Sequence, residues 1–230
     1  MVPIMATPIE AQQLLLLLNW MSPAFPIGSF AYSHGLEWAI AEGIVHDEAT
    51  TRDWISTVIS EGSGWNDAVI FAAASRGEDV GDLALALCTS QERFLETTQL
   101  GAAFKIASSA FTPRSGEKEG AHRASDGKDE GPLAYPVAAA TACKVMNITT
   151  EHALLAFLQG FSNALISVAV RLVPIGQTAG LNIMRDLLPV IARTAGRAAQ
   201  STLDDLGACA FLSDIAAMKH ETLQPRIFRT

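Results

Sequence analysis

Helical spacing dominates the pattern of hydrophobic and polar positions along this chain. The first clear apolar face consists of four residues that a helix would bring together: Trp54, Ile55, Val58 and Ile59. We predict that a capping box of Thr50 and Asp53 starts this helix and that Gly62 and Gly64 end it. A second helix is predicted over residues 65–75.

Two further segments have an apolar helix face, one from Glu92 onward and one near the end of the chain. The first face contains Leu100, Phe104, Ala107 and Phe111, and the last contains Ala208, Phe211, Leu212, Ile215 and Met218. The alternation with a period of two that marks half-buried strands is scarce. We therefore predict an all-α fold of roughly eight to ten helices of ordinary length, in a single helical domain over residues 1–230.

The longest apolar stretch covers residues 153–170 and contains no charged residue. Its length comes close to the ~20 residues of a membrane-spanning helix. Gln159, Asn163 and Ser167 argue against spanning, because their four-residue spacing places them on one face of a helix. We call these three residues the polar stripe. Either this is a central core helix whose stripe meets polar partners, or the stripe lines a wet groove or channel.

One segment, 112–131, contains no apolar run and carries charges of both signs. Such a segment cannot bury enough apolar surface to offset the entropy that ordering costs. We predict a flexible surface loop between two helical halves, which need each other's apolar faces to form a core.

The composition is apolar and acidic, with 49% hydrophobic and 17% charged residues and a net charge of -8. So apolar a chain has more surface to bury than a monomer needs, which suits an obligate oligomer. The negative charge and the lack of a dense Lys/Arg run argue against nucleic acid or an anionic membrane as the main partner.

The cysteines and the N-terminal leucines both suggest a cytoplasmic protein. Cys88, Cys143 and Cys209 are odd in number and widely separated, which fits reduced thiols, each expected to be a small buried residue. The apolar run 14–18 has no basic residue before it, so we interpret it as a buried helix rather than a signal peptide.

The usual signatures of catalysis are absent from the sequence. It contains no His-Glu-x-x-His, no Gly-x-Ser-x-Gly and no phosphate-binding loop. His34 and Glu37 lie one helical turn apart and could share a metal ion, but two ligands fall short of the three or four that a zinc site uses. The alternative is that His34 makes ordinary hydrogen bonds. We predict no catalytic residue and no resident metal.

Three segments contain prolines that interrupt or end the predicted helices. Residues 22–37 read SPAFPIGSFAYSHGLE, in which two prolines and a glycine force a turn and Ser29 or Ser33 can cap the next helix. Residues 170–177 read VRLVPIGQ, a second Pro-Gly break. Residues 213–230 read SDIAAMKHETLQPRIFRT, in which a helix gives way to either an arginine-flanked aromatic anchor for a partner or a frayed terminus.

These segments, together with AYPVAAATACKV at 134–145, resemble the UreF family of urease accessory proteins, in the family's order and over nearly the whole chain. LQGFSNALISVAVRLVPIGQT at 158–178 is similar to the family's central helix and the turn after it. Two departures occur. Glu96, Thr97 and Thr98 lack the arginine of a Glu-Thr-Arg type segment, and the segment 112–131 is longer and more charged than in the family.

The resemblance implies an all-α homodimer that acts with UreD (also called UreH) and the GTPase UreG on apo-urease, where GTP hydrolysis by UreG drives nickel delivery. It implies no stably bound cofactor, with nickel only in transit, and the polar stripe becomes a candidate nickel path. By position, the UreD-docking residues are Lys219, His220, Glu221, Arg226, Phe228 and Arg229. The residues of the family signature, in core or interface, are Pro26, Gly28, Ser29, Tyr32 and Glu37.

Three other hypotheses follow from the residues. The chain could regulate the partner GTPase, because arginine stabilises phosphoryl transfer in trans and Arg171 and Arg193 are available. It could be a small helical metalloenzyme that uses His34 and Glu37. It could also be a membrane protein built around residues 153–170.

Overall fold

The computed structural model describes residues 8–111 and 131–230, and in these residues it contains ten α-helices and no strand. The helices are α1 Ala11–Trp20, α2 Leu36–Ala41, α3 Glu48–Glu61, α4 Ser63–Arg76, α5 Gly81–Ala86, α6 Gln91–Ser108, α7 Tyr135–Val145, α8 Thr150–Leu172, α9 Gln177–Ala199 and α10 Phe211–His220. This confirms the all-α prediction. The predicted loop 112–131 lies, except for Gly131, outside the described residues.

Helix α8 occupies the centre of the molecule and packs against α1, α2, α3, α4, α7 and α9. Its face of Leu154, Phe157, Leu158 and Leu165 is buried, in one hydrophobic cluster that draws residues from α1 through to Phe228. By length and composition α8 is apolar enough to cross a membrane. Since half of its apolar window is buried against other helices, the structure places it as a core helix.

Helix α3 begins three residues earlier than predicted. Its N-cap is Asp47, whose Oδ1 accepts a hydrogen bond from the Thr50 backbone N–H at 2.8 Å. The predicted capping box of Thr50 and Asp53 is therefore wrong, because Thr50 is its third residue and not its cap. Gly62 does end α3, whereas Gly64 lies inside α4. The helices predicted over 65–75 and from Glu92 match α4 and α6.

Helix α10 faces the opposite way from what its apolar pattern predicts. Small or polar residues make its buried face: Ser213, Ala216, Ala217 and His220. Large residues stay exposed on the other side: Phe211, Leu212, Ile215 and Met218. The close packing has a cause at Gly35, where a Cβ atom would lie 2.5 Å from the Ala217 backbone nitrogen. Only small side chains allow α10 to approach α2 so closely.

The cysteine prediction holds in part. All three thiols are free, and Cys143 is buried, but Cys88 is half-buried and Cys209 is exposed. Cys209 escapes burial because it precedes α10 in an open segment, where its thiol lies 3.2 Å from Asp214 Oδ2. Burial raises the pKa of the Cys143 thiol to about 12, which keeps it protonated and unreactive.

Candidate functional site

A fully buried histidine joins three helices near the C-terminal end of the chain. His220, from α10, has its Nε2 2.9 Å from Glu37 Oε2 of α2 and its Nδ1 2.8 Å from Glu92 Oε2 of α6. The histidine is 0% exposed and both carboxylates are buried. Contact with a carboxylate at each ring nitrogen is the geometry that an imidazolium satisfies with its two N–H donors.

Glu37 also holds the chain's last residues in place. Its Oε1 accepts a hydrogen bond from the Ile227 backbone N–H at 2.7 Å, and its Oε2 accepts one from the Phe228 backbone N–H at 2.8 Å. Arg226 extends the arrangement, because its Nη1 donates to Glu92 Oε1 at 2.6 Å. Residues 226–230, which we call the tail, are therefore anchored to the same two carboxylates that contact His220.

Thr230 joins the tail to the segment 22–37. The Thr230 carbonyl accepts a hydrogen bond from the Ser33 backbone N–H at 2.7 Å and a second from the Ser33 hydroxyl. The Arg229 backbone N–H donates to the Ala31 carbonyl at 2.8 Å. Ser33 Oγ also accepts from the Glu37 backbone N–H in the first turn of α2 at 3.3 Å. The N-cap of α2 is nevertheless Gly35, so neither Ser29 nor Ser33 occupies the predicted cap position.

Beside this lies a second group, the ion cluster, made of His34, Asp67, Arg93 and Glu96. His34 Nε2 lies 2.7 Å from Glu96 Oε1, and Arg93 Nη1 lies 2.7 Å from Glu96 Oε2. Arg93 Nη2 reaches Asp67 Oδ2 at 3.3 Å. Thr230 Oγ1 contacts Glu96 Oε2 at 3.3 Å and so links the tail to this cluster.

The pKa values of the two carboxyl groups in the ion cluster, Glu96 and Asp67, are shifted in opposite directions. Burial acts to raise the pKa of Glu96, but the adjacent Arg93 and His34 prevail and lower that pKa to about 2. Burial raises the pKa of Asp67, and the attraction of Arg93 does not cancel it. Burial also works against a charged Arg93, yet Glu96 and Asp67 raise its pKa above the ordinary value. Glu96 and Arg93 are thus a charged pair at neutral pH.

A cavity of about 100 Å³, the inner cavity, adjoins the ion cluster. All four cluster residues line it, and so do Asn163 and Ser167 of the polar stripe. Asn163 also lines a neighbouring surface cavity together with Gln159. The stripe therefore runs from the surface to the buried charges, and its three residues are half-buried.

The predicted partner-binding residues divide between surface and core. Lys219, Glu221, Arg226 and Arg229 are exposed, whereas His220 and Phe228 are buried in the chain itself. Phe228 belongs to the hydrophobic core, with Arg171 lying 6.0 Å above its ring. The structure thus presents a tail with a buried backbone anchor and an exposed, arginine-bearing side.

Of the signature residues, Glu37 and Tyr32 lie at the tail. Tyr32 is buried, and its hydroxyl donates to Gln99 Oε1 at 2.7 Å. Gly28 adopts a left-handed φ of 78° before the short turn that Ser29 begins. Pro26 is exposed, and Glu37 is the tail's principal anchor.

Sequence reasoning missed Asp67, Glu92, Arg93 and Glu96. A signal was available for two of them: Glu96 and Glu92 lie four and eight residues before Leu100 and extend the apolar face of α6 backwards. Charged residues that continue a buried helix face are expected to be paired. Asp67 gives no such signal, because its partner is distant in sequence.

Comparison with known proteins places this chain in a family. The UreF family model matches residues 45–188. A urease accessory protein UreF from Cereibacter sphaeroides is 44% identical over 94% of this chain and 98% of its own length. A UreF from Rhodopseudomonas palustris is 43% identical over 96% and 94%, and a UreF 1 from Brucella canis 43% over 99% and 98%.

This chain belongs to the UreF family. The similarity extends over nearly the full length of these relatives, so it includes most of the chain on both sides of the model's match. UreF proteins are named for an accessory role to urease and not for a catalytic activity of their own. In the described residues, no three metal-ligating side chains are placed so that they could hold one metal ion, and His34 and Glu37 contact different groups.

Proposed function

We propose that this chain is a non-catalytic scaffold in cytoplasmic urease maturation, which joins UreD (UreH) and UreG on apo-urease while GTP hydrolysis by UreG delivers nickel. The observation that carries the proposal is family membership over nearly the whole chain, combined with the anchored tail. Because Glu37 holds the tail's backbone and Glu92 holds the Arg226 side chain, the exposed side of the tail forms a rigid surface of the kind that partner recognition favours.

The docking surface for UreD is the exposed side of this tail, with Arg226, Ile227 and Arg229. Ile227 is 73% exposed although it lies between two anchored backbone groups. An apolar side chain held rigidly in the open between arginines is typical of an interface anchor. The buried His220 and Phe228 would act by holding this surface in shape.

A homodimer is supported by exposed leucines on α1 and α8. Leu14, Leu18 and Leu155, which we call the α1–α8 patch, line one surface cavity and are 44%, 63% and 38% exposed. Contiguous apolar surface of this kind marks an interaction site. A second copy seated on this patch would cover Gln159 and Asn163 as well, because they line the same cavity.

The polar stripe supplies the nickel path in this proposal. Asn163 lines both the surface cavity beside the α1–α8 patch and the inner cavity. Replacing Gln159, Asn163 and Ser167 together by leucine should block urease activation while the complex with UreD and UreG still forms. Full activation by this triple variant would show that nickel does not follow the stripe.

The test of the function as a whole is co-expression. Urease and the remaining accessory proteins are expressed with and without this chain, and urease activity and nickel content are measured. We expect both to depend on the chain. Unchanged urease activity in its absence would overturn the proposal.

Regulation of the partner GTPase is the second candidate. Arg193 on α9 is exposed, so it is free to reach a nucleotide in trans. Measuring GTP hydrolysis by UreG with and without this chain separates the two roles. An increase that Arg193→Ala abolishes would favour the regulator, and an unchanged rate would favour the scaffold.

A further inference from the structure

His34 is the most constrained polar residue next to the inner cavity. It is 6% exposed, and its ring packs edge-on to Phe161 with centroids 4.5 Å apart. Its backbone adopts a φ of 50°, in the left-handed region that few residues other than Gly, Asn, Asp and His occupy. Such a conformation costs about 1–3 kcal/mol and tends to persist at functional sites.

One nitrogen of the His34 ring has a hydrogen-bond partner and the other has none among the described residues. Nε2 lies 2.7 Å from Glu96 Oε1, whereas Nδ1 is buried and has no hydrogen-bond partner among the described residues. A buried polar atom without a partner is rare and calls for an explanation. His34 lines the inner cavity, so space for a partner adjoins its ring. Nδ1 itself is closed off in this conformation, and a ligand reaches it by a small shift of the ring.

The Glu96 contact decides which nitrogen carries the proton in a neutral ring. Glu96 is an ionised acceptor, since Arg93 lies against it and its pKa is low. A carboxylate at 2.7 Å therefore requires N–H at Nε2, which leaves a lone pair on Nδ1. Arg93 Nη1 also lies 3.4 Å from Nε2, but that contact is too long to compete with the carboxylate.

Taken together, the geometry points to His34 Nδ1 as a transient ligand for a late first-row divalent cation that enters the inner cavity. A histidine whose far nitrogen donates to a carboxylate is the usual form of a metal-binding imidazole, and imidazole suits nickel and zinc but not magnesium. The lone pair on Nδ1 and the carboxyl oxygens of Asp67 and Glu96, which also line the cavity, are electron donors of the kind that bind a cation.

The number of ligands indicates passage rather than storage. No three metal-ligating side chains in the described residues are placed so that they could hold one metal ion, so a cation here keeps most of its water and is held weakly. A site on a conduction path must bind well enough to be entered and weakly enough to be left. This inference rests on the proposed function for the identity of the cation, nickel, and it adds His34 to Asn163 and Ser167, which line the same cavity.

The test uses the full chain without an affinity tag, labelled with ¹⁵N-histidine, and titrated with NiCl₂, ZnCl₂ or MgCl₂. The His34 ring signals are assigned with His34→Gln. Before metal, we expect the ¹⁵N shifts of a ring protonated at Nε2. Nickel should broaden and zinc should shift the Nδ1 signal, and magnesium should leave it unchanged.

Two variants complete the design. Glu96→Gln should weaken zinc binding at His34 about 10- to 100-fold, because Glu96 positions the ring, and circular dichroism shows whether it folds. His46→Gln, which removes an exposed imidazole, should leave the His34 response intact. A ring protonated at Nδ1, or His34 signals that stay unchanged while those of His46 respond to nickel, would overturn the inference.

Failure here can be told apart from failure of the proposed function. If urease activation by co-expression requires the chain while His34 binds no metal, the scaffold role stands and the His34 site is refuted. If His34 binds nickel and zinc with the expected signals, the site stands whatever the co-expression result.

Discussion

At the scale of single residues, His220 joins the two carboxylates, Glu37 and Glu92, that hold the tail. Replacement by alanine would leave the Glu37 and Glu92 carboxylates buried without the imidazole between them. Leaving buried polar groups without a hydrogen-bond partner costs about 1–3 kcal/mol. We therefore expect His220→Ala to lower the free energy of unfolding by that amount in urea titrations.

The matched control for this prediction is His46→Ala, because the His46 side chain is 62% exposed. It should leave the urea midpoint unchanged within error. A loss below about 1 kcal/mol for His220→Ala would show that Glu37 and Glu92 find other partners and that His220 is not the anchor.

Glu96 predicts a pH dependence with a definite sign. Its pKa in the folded chain, about 2, lies below the ordinary value of 4.5. The stability that it contributes is thus fully present above that ordinary value and is lost as the pH falls towards 2. In urea titrations at several pH values, the stability gap between the natural chain and Glu96→Gln should be largest near pH 7 and narrow below about pH 4.5.

Asp67→Asn is the control, because the pKa of Asp67 is raised and not lowered. A raised carboxyl pKa favours the folded state as the pH falls, so the natural chain should gain stability relative to Asp67→Asn on acidification. If acidification changed the stability difference from the natural chain in the same direction for both variants, the opposite pKa shifts of Glu96 and Asp67 would be contradicted.

At the scale of helices, the contact between α2 and α10 gives a sharp prediction at Gly35. A Cβ atom there would lie 2.5 Å from Ala217 N and 2.7 Å from Ala216 C, and φ is 74°. Gly43 has a similar φ of 70° but nothing within 4 Å. Gly43→Ala should cost about 1 kcal/mol for its backbone, and Gly35→Ala about 3 kcal/mol or more, since α10 must move as well.

Thermal unfolding of both variants measures the difference. Because their backbone conformations match, any excess loss at Gly35 reports the packing of α10 against α2. Equal losses would mean that α10 moves aside at no cost, and the tail that follows α10 could not then be held rigidly.

Most helices could be predicted from the sequence because their apolar spacing also decides their burial. The spacing in α4, α6 and α8 indicated elements that the structure contains. For α10 the same reasoning could not assign the buried face, since a close approach at Gly35 selects small residues there and leaves Ile215 outside. Such an approach joins residues about 180 positions apart in sequence, beyond the reach of any local pattern.

The candidate site shows the same limit. Its tail and the polar stripe could be located from local motifs, and Glu92 and Glu96 from the extended face of α6. The pairing of His220 with Glu37 and the approach of Asp67 to Arg93 depend on how helices distant in sequence pack. Only the three-dimensional structure shows that Asn163 and Ser167 of the stripe share one cavity with the ion cluster.

At the scale of the whole molecule, the excess of apolar residues predicts self-association through the α1–α8 patch. Leu18 is 63% exposed in this patch, and Leu181 on α9 is 73% exposed elsewhere. A charge buried at the centre of an apolar interface costs several kcal/mol, so Leu18→Glu should convert a dimer into a folded monomer in sedimentation velocity. Leu181→Glu adds the same charge outside the patch and should stay dimeric, whereas a dimeric Leu18→Glu beside a monomeric Leu181→Glu would move the interface to α9.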